Sequence, residues 1–208
     1  MYAVVIIARD EEPRLPHALA SVRGAPELIV LDSGSKDFTP EIAEAFGAQV
    51  SACSWRDDFG WARGLAARRA SCAWLVTLDA DEQYSARDGD VHGSWLRVLR
   101  GADRVGANVV LAMRHYLPGV DFWHPVAWRN GAFRWEGQLH EHLVSLGERI
   151  PIATDDICLR HQRGKARSDY RAASRRAAAM SPDDPWALFH DGREHALAGD
   201  FARCVAPL

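Results

Sequence analysis

The sequence is poor in several features that would each have fixed a function class. Its four cysteines, Cys53, Cys72, Cys158 and Cys204, stand far apart with no C-x-x-C pair. That argues against a zinc knuckle or a disulfide framework and fits a reducing cytoplasm. No apolar run approaches the ~18 residues of a membrane-crossing helix. The first eight residues lack the basic region of a signal peptide and lead straight into acids. The expected location is cytoplasmic, with peripheral contact to the inner face of the membrane left open. Net charge is only −3, so no global basic field recruits nucleic acid. A G-x-G-x-x-G after the first strand and a G-x-x-x-x-G-K-[ST] loop are both missing, which leaves a dinucleotide fold or a P-loop without support.

What is present is a chain of 208 residues, 48% of them hydrophobic, enough for one domain with a small appendage. Residues 3–8 read as a buried first strand, and Leu15, Ala18, Leu19 and Val22 have the spacing of a helical face. Leu28–Leu31 is a second buried strand, followed by a helix to about Phe46 and a third strand over 48–52. Residues 60–71 read as a helix, and Trp74–Leu78 as a further buried strand. Alternating strands and helices with acids at the strands' carboxyl ends indicate an α/β domain with a mostly parallel sheet. Ligands in such sheets bind outside those carboxyl ends.

Beyond Glu82 the pattern is looser. Residues 83–93 read as a loop, 95–99 as a short helix and Asn108–Met113 as an apolar strand. An aromatic-rich stretch runs from Tyr116 to Trp135, and residues 163–180 read as a basic, alanine-rich surface helix. After a break at Ser181–Pro185, the last segment resembles the first half of a tetratricopeptide helix pair, which cannot bury its own face alone.

Four constellations carry chemistry. The apolar strand 74–78 runs into Asp79-Ala80-Asp81-Glu82, and strand alternation would put Asp79 and Asp81 on one side if the strand continued. Two like charges that close need water or a cation between them, although an isolated D-x-D is more often a solvated turn. Asp32-Ser33-Gly34-Ser35 ends the second strand: Gly34 permits a tight turn, Ser35 can cap the next helix, and Asp32 can accept from a base N–H or a ribose hydroxyl. Arg63 offers a guanidinium fork suited to a diphosphate or a base, or is a plain surface arginine. Arg134-Trp135-Glu136-Gly137-Gln138-Leu139-His140-Glu141 sets carboxylates beside aromatic walls, where a Trp face can stack on a sugar, or is an ordinary half-buried strand.

In this order the segments resemble family-two glycosyltransferases of the GT-A fold, especially bacterial members of the lipopolysaccharide-core and peptide-glycosylating type. The resemblance runs over about residues 3–165, through Ala8-Arg9-Asp10-Glu11-Glu12, Val30 to Asp37, Trp55 to Arg63, Leu78 to Glu82, and Arg134 to Glu141. It departs at Asp10 and Gly64, where the family often has Asn.

The resemblance implies a GT-A domain over 1–165, with a nucleotide-binding half at 1–82 and an acceptor half at 83–165, and a helical extension over 166–208. It implies an inverting, hexosyltransferase-type enzyme with a nucleotide-diphosphate sugar, UDP-linked by expectation, as donor. The acceptor would be a saccharide, a lipid-linked molecule or a protein, and the cofactor Mn²⁺ or Mg²⁺. Ala8, Glu11, Asp32, Gly34, Ser35, Arg63 and Asp79 would line the donor site. Asp81 and His161 would hold the metal, and Trp135 and His140 would face the acceptor sugar. Glu141 would be the general base, with Glu136 in reserve. The rival readings are a non-catalytic sugar-nucleotide-binding or scaffold module, and a nucleotidyltransferase, which usually carries a Gly-rich basic loop where this chain has acids. A glycosidase would need two carboxylates across a sugar and no nucleotide turn.

Overall fold

The first strand explains the architecture. In the computed structural model, which describes residues 1–117, 119–139, 141–162, 171–180, 185–197 and 199, β1 (Tyr2–Ala8) is buried on both faces. Tyr2, Val4, Ile6 and Ala8 pack into one core, while Ala3 and Val5 pack into another on the opposite face. This is the two-residue period of a central strand with helices on both sides.

The remaining elements follow in chain order: α1 (Leu15–Ser21), β2 (Glu27–Asp32), α2 (Thr39–Ala45), β3 (Gln49–Ala52), α3 (Phe59–Ala67), β4 (Trp74–Thr77), β5 (Glu82–Ala86) and α4 (Val91–Arg104). Then come β6 (Val109–Leu117), β7 (Val120–Arg129), β8 (Phe133–Glu136), β9 (His142–Ser145), β10 (Pro151–His161), α5 (Arg171–Met180) and α6 (Pro185–Leu197). Eight strands form one sheet in the order β3-β2-β1-β4-β7-β6-β10-β5, and β8 and β9 form a separate ribbon. The block β3-β2-β1-β4 is parallel throughout. β7 enters antiparallel to both β4 and β6, while β10 runs parallel to β6 and antiparallel to β5.

One core, on the side of α1 and α4, is built around Leu15, Leu19, Trp74, Val76, Trp95 and Val98. The other, beneath α3 and the ribbon, holds Ala62, Ala66, Leu75, Trp128 and Phe133. Asp58 caps α3 by accepting from the Trp61 backbone N–H at 2.7 Å, and Asp90 caps α4 by accepting from Gly93 at 2.8 Å. Both use a short side-chain acceptor to satisfy an orphan donor of the first turn.

Several boundaries differ from the sequence reading. β4 stops at Thr77, so Asp79-Ala80-Asp81-Glu82 is a turn closed by the Glu82 N–H on the Asp79 carbonyl at 3.0 Å. Strand alternation therefore does not set the directions of these acids. Residues 82–86 form edge strand β5 instead of a loop, because Glu82 and Tyr84 are buried against the core and β10 pairs with them. The helix expected over 95–99 extends over 91–104, started by its Asp90 cap. The basic helix is not wholly a surface element: α5 buries Ser174, Ala177 and Ala178 and packs on α6. Thus α6, read as the first helix of a pair, pairs with the helix before it. The expected break at Ser181–Asp184 and the basic run at 163–170 lie outside the described residues.

Candidate active site at the carboxyl ends of the strands

The loops after β1 and β2 are laced together at the first corner of the site. Asp32, buried at the end of β2, accepts from the backbone N–H of Gly34 at 3.0 Å and of Ser35 at 3.1 Å, and from the Ser35 hydroxyl at 2.5 Å. Gly34 has a φ of 98°, a left-handed conformation that a side chain would strain. Ser35 Oγ in turn accepts from the Asp10 N–H at 2.9 Å, and Asp10 Oδ1 accepts from the Lys36 N–H at 2.7 Å. The carboxylate of Asp10 is thereby turned onto the β2 loop. Glu11 is buried, its N–H donates to Thr39 Oγ1 at 2.8 Å, and its carboxylate is held by Arg14 at 2.5 Å. The Ala8 carbonyl accepts from Ser33 N–H at 3.0 Å, which leaves Ala8 a backbone role in the same corner.

The second group converges from α3, β4, β6 and the segment after β8. Arg63, one turn into α3, donates through Nε to Glu141 Oε1 at 2.5 Å and through Nη2 to Asp79 Oδ1 at 2.6 Å. It also reaches Thr77 Oγ1 at 3.3 Å and lies 5.1 Å from the Trp135 ring. The plain surface-arginine reading is thereby excluded: only 12% of the Arg63 side chain is exposed. Arg114 on β6 bridges Asp79 Oδ2 at 3.3 Å and Glu82 at 2.5 Å.

Burial alone would raise the pKa of Asp79, but Arg63 and Arg114 outweigh it and hold the carboxyl down to about 2. Glu82 is pushed the other way, up to about 7, by burial and by the charge of Asp79, against the pull of Arg114. Three acids within four residues of sequence therefore occupy three electrostatic environments.

Asp81 forms the third group with His161. Its Oδ1 lies 3.8 Å from His161 Nδ1, a buried nitrogen with no hydrogen-bond partner among the described residues. Burial and the charge of Asp79 raise the Asp81 pKa, partly offset by His161. Among the described residues no three His, Cys, Asp or Glu side chains are grouped to hold a metal. An orphaned imidazole nitrogen facing a carboxylate nevertheless fits a divalent cation that keeps one or two protein ligands and completes its shell with water or phosphate oxygens.

The structure thus brings Arg63, Asp79, Glu141 and Trp135 together, Asp81 with His161, and Asp32, Gly34, Ser35 and Glu11 in the adjoining corner. Glu136 does not join them: it is 40% exposed and its carboxylate pairs with Arg134, two residues away on β8. His140 lies outside the described residues. Sequence reading missed Arg114 and the burial of Glu82. The available signal was a lone arginine inside the apolar run of β6, since a buried guanidinium requires carboxylate partners.

Comparisons with known proteins bear on the family and the fold. A family model described as glycosyl transferase family 2 matches residues 3–164. The SPbeta prophage-derived glycosyltransferase SunS of Bacillus subtilis is 26% identical over 94% of this chain and 49% of its own length. A TPR repeat-containing protein of Synechococcus elongatus is 48% identical over 39% of this chain and 20% of its own. The chain therefore spans between a fifth and about half of these curated relatives. Among solved structures, S. aureus TarS 1-349 in complex with UDP-GlcNAc superimposes with a TM-score of 0.61 at 15% identity, covering 97% of this chain and 72% of that one. At that identity the likeness speaks for the fold, and the fold is GT-A. Because the family model spans the strands, the acids and the arginine hub alike, the chain belongs to glycosyl transferase family 2.

Proposed function

We propose that this domain transfers a sugar, with inversion, from a nucleotide-diphosphate donor to a hydroxyl-bearing acceptor in a metal-dependent reaction. One observation carries the reading. Asp79 and Glu141, from opposite halves of the family-matched segment, converge on the single guanidinium of Arg63, in the same acid turn as the Asp81–His161 pair. That two structures of TarS 1-349 contain UDP-GlcNAc and UDP supports a uridine nucleotide as the donor's carrier.

In this reading Asp32, Gly34 and Ser35 shape the nucleoside corner, with Glu11 and Ala8 as its wall. Asp81 and His161 would hold Mn²⁺ or Mg²⁺, the imidazole tilting the choice toward Mn²⁺. The cation would supply Lewis-acid neutralisation of charge on the departing diphosphate. Glu141 takes the proton of the acceptor hydroxyl as that oxygen bonds to the anomeric carbon. The bond from that carbon to the β-phosphate oxygen breaks on the opposite face, and the diphosphate leaves with the electron pair. Arg63 orients Glu141 and keeps Asp79 ionised. The acceptor is a saccharide, lipid-linked or protein hydroxyl, and the cytoplasmic, envelope-building role expected of the family rests on the same reading.

The test is calorimetric titration with UDP and Mn²⁺ followed by an assay of UDP release from a panel of UDP-sugars. Binding with sugar-dependent UDP release is the expected result. Binding without release from any donor would favour a non-catalytic module, and no binding would overturn the reading.

A further inference from the structure

The aromatic stretch from Tyr116 to Trp135 is only partly absorbed by this site. Trp135 lies against Arg63, whereas Tyr116, Phe122 and His124 have no role in it. The strand register and the ring contacts bring these three together. Arg114 stands opposite Phe122 and Ala112 opposite His124 across the β6–β7 pair, and opposed residues of an antiparallel pair project from the same face. Tyr116 falls at the register irregularity between His115 and Leu117, so its contacts with Arg114 and His161, not alternation, place it beside them.

The side chains agree with the register. The Phe122 and His124 rings meet edge to face with centroids 6.1 Å apart. Tyr116 lies 5.5 Å from the Arg114 guanidinium and 5.1 Å from the His161 ring. Tyr116 thus reaches from Arg114 to the proposed metal pair, and the charges of Arg114, Asp79 and Arg63 act on His124.

Two properties of this row point to one kind of ligand. Tyr116 and Phe122 are 41% and 39% exposed, so they offer open aromatic faces beside the acids instead of filling core. His124 spends no hydrogen bond on the described residues, and burial together with Arg114 pulls its pKa down to about 4. It is a neutral imidazole with one donor and one acceptor nitrogen to offer. A pyranose matches both, having an apolar C–H face and a hydroxyl edge. The sheet order places the row on β7 and β6, past β4 from the nucleoside corner on β1 and β2. In the proposed reading the acceptor takes the side away from that corner.

We propose that Tyr116, Phe122 and His124 form the acceptor subsite and that the acceptor presents a sugar ring there, stacked on Phe122 and Tyr116 with its hydroxyl edge read by His124. The assignment rests on the nucleotide-sugar reading above. It is tested by saturation-transfer NMR with the methyl glycosides of glucose, galactose and N-acetylglucosamine, in the presence of UDP and Mg²⁺, with UDP affinity measured in parallel.

Saturable binding of at least one glycoside is expected, weakened about tenfold in Phe122→Ala and restored in Phe122→Tyr. His124→Gln should change the preference between the glucose and galactose glycosides. Absence of binding by all three glycosides, or unchanged binding by Phe122→Ala, overturns the proposal. So does a serine peptide or an anionic vesicle that binds through Phe122 while no glycoside does. Failure of the wild-type protein to bind UDP overturns the nucleotide-sugar reading instead, and is read separately from the glycoside signal.

Discussion

Arg63 donates to Glu141 at 2.5 Å and to Asp79 at 2.6 Å, so one guanidinium on α3 couples the proposed base to the acid turn after β4. Both contacts are largely shielded from water: the side-chain exposures are 12% for Arg63, 13% for Glu141 and 29% for Asp79. Arg63→Met would strand two carboxylates in that environment, which costs about 3–5 kcal/mol when a buried pair loses one partner. Arg63→Lys keeps the charge but not the two-pronged fork. Thermal unfolding should therefore rank wild type above Lys above Met, and UDP-sugar turnover should fall at least about tenfold even in Arg63→Lys. A Lys variant with wild-type turnover would show that the fork does not position Glu141.

Glu82 gives the domain a pH signature. Its carboxyl is raised from an ordinary value of 4.5 to about 7 by burial and the neighbouring Asp79. A group raised in the folded state contributes stability that is fully present below its unfolded pKa and lost as pH rises through the folded value. Wild-type stability should accordingly decline between about pH 4.5 and 7, by on the order of 3 kcal/mol from this group. Glu82→Gln cannot ionise and should lack that part of the slope. Melting temperatures across pH 4.5–8 in EDTA would check it; parallel curves for the two proteins would refute the assignment.

How much of this was readable from residues depends on whether an element is specified locally. β1, β2 and β4 are short apolar runs ended by acids, and α1 shows its buried Leu15-Ala18-Leu19 face in sequence, so the parallel half was legible. β5 was not, because Glu82-Gln83-Tyr84-Ser85-Ala86 has no apolar run and becomes a strand only when β10 pairs with it. The same holds for the site. Asp32-Ser33-Gly34-Ser35 is a local turn and was legible. The Arg63–Glu141 and Arg114–Glu82 pairs join residues far apart in the chain and needed the fold. The resemblance placed Glu141 among the acids, and the i, i+2 spacing of Arg134 and Glu136 on β8 was the local signal that Glu136 turns to Arg134.

The Asp81–His161 pair makes a separate prediction about metal. His161→Ala removes an imidazole whose Nδ1 has no hydrogen-bond partner among the described residues, so apart from the ring contact with Tyr116 the fold loses little. Mn²⁺ affinity in the presence of UDP should fall at least about tenfold, and Asp81→Asn should have the larger effect because it removes charge as well as a ligand oxygen. Electron paramagnetic resonance of free Mn²⁺ measures both. Unchanged affinity in Asp81→Asn would place the cation elsewhere.

The two candidate bases are separable by a pair of isosteric changes. Glu141→Gln keeps the shape beside Arg63 but cannot take a proton, and a positioned base is typically worth about 10²–10⁴-fold. Its UDP affinity should stay close to wild type while UDP-sugar turnover falls by that range. Glu136→Gln, which only frees the exposed Arg134 side chain, should alter turnover by less than about threefold. The opposite ranking would move the proton-accepting role to Glu136.

Gly60 tests whether α3 and the Glu141 segment act as one unit. The Phe59 and Gly60 N–H groups donate to the carbonyls of Gln138 and Gly137 at 2.9 and 3.1 Å, which pins the start of the helix to the chain leading into Glu141. A Cβ on Gly60 would lie 2.6 Å from the Gly137 carbonyl oxygen and 3.2 Å from the Glu136 carbonyl carbon. Both are backbone atoms, so Gly60→Ala must push the two segments apart instead of turning a side chain aside. Overpacking of this kind costs about 1–3 kcal/mol. Because Arg63 lies one turn further along α3, the same displacement loosens its grip on Glu141, and turnover should fall about tenfold or more. Gly147→Ala, whose Cβ would meet nothing within 4 Å, serves as the control and should match wild type in both measurements. A Gly60→Ala protein with unchanged melting temperature and turnover would mean that the helix start and the Glu141 segment move independently.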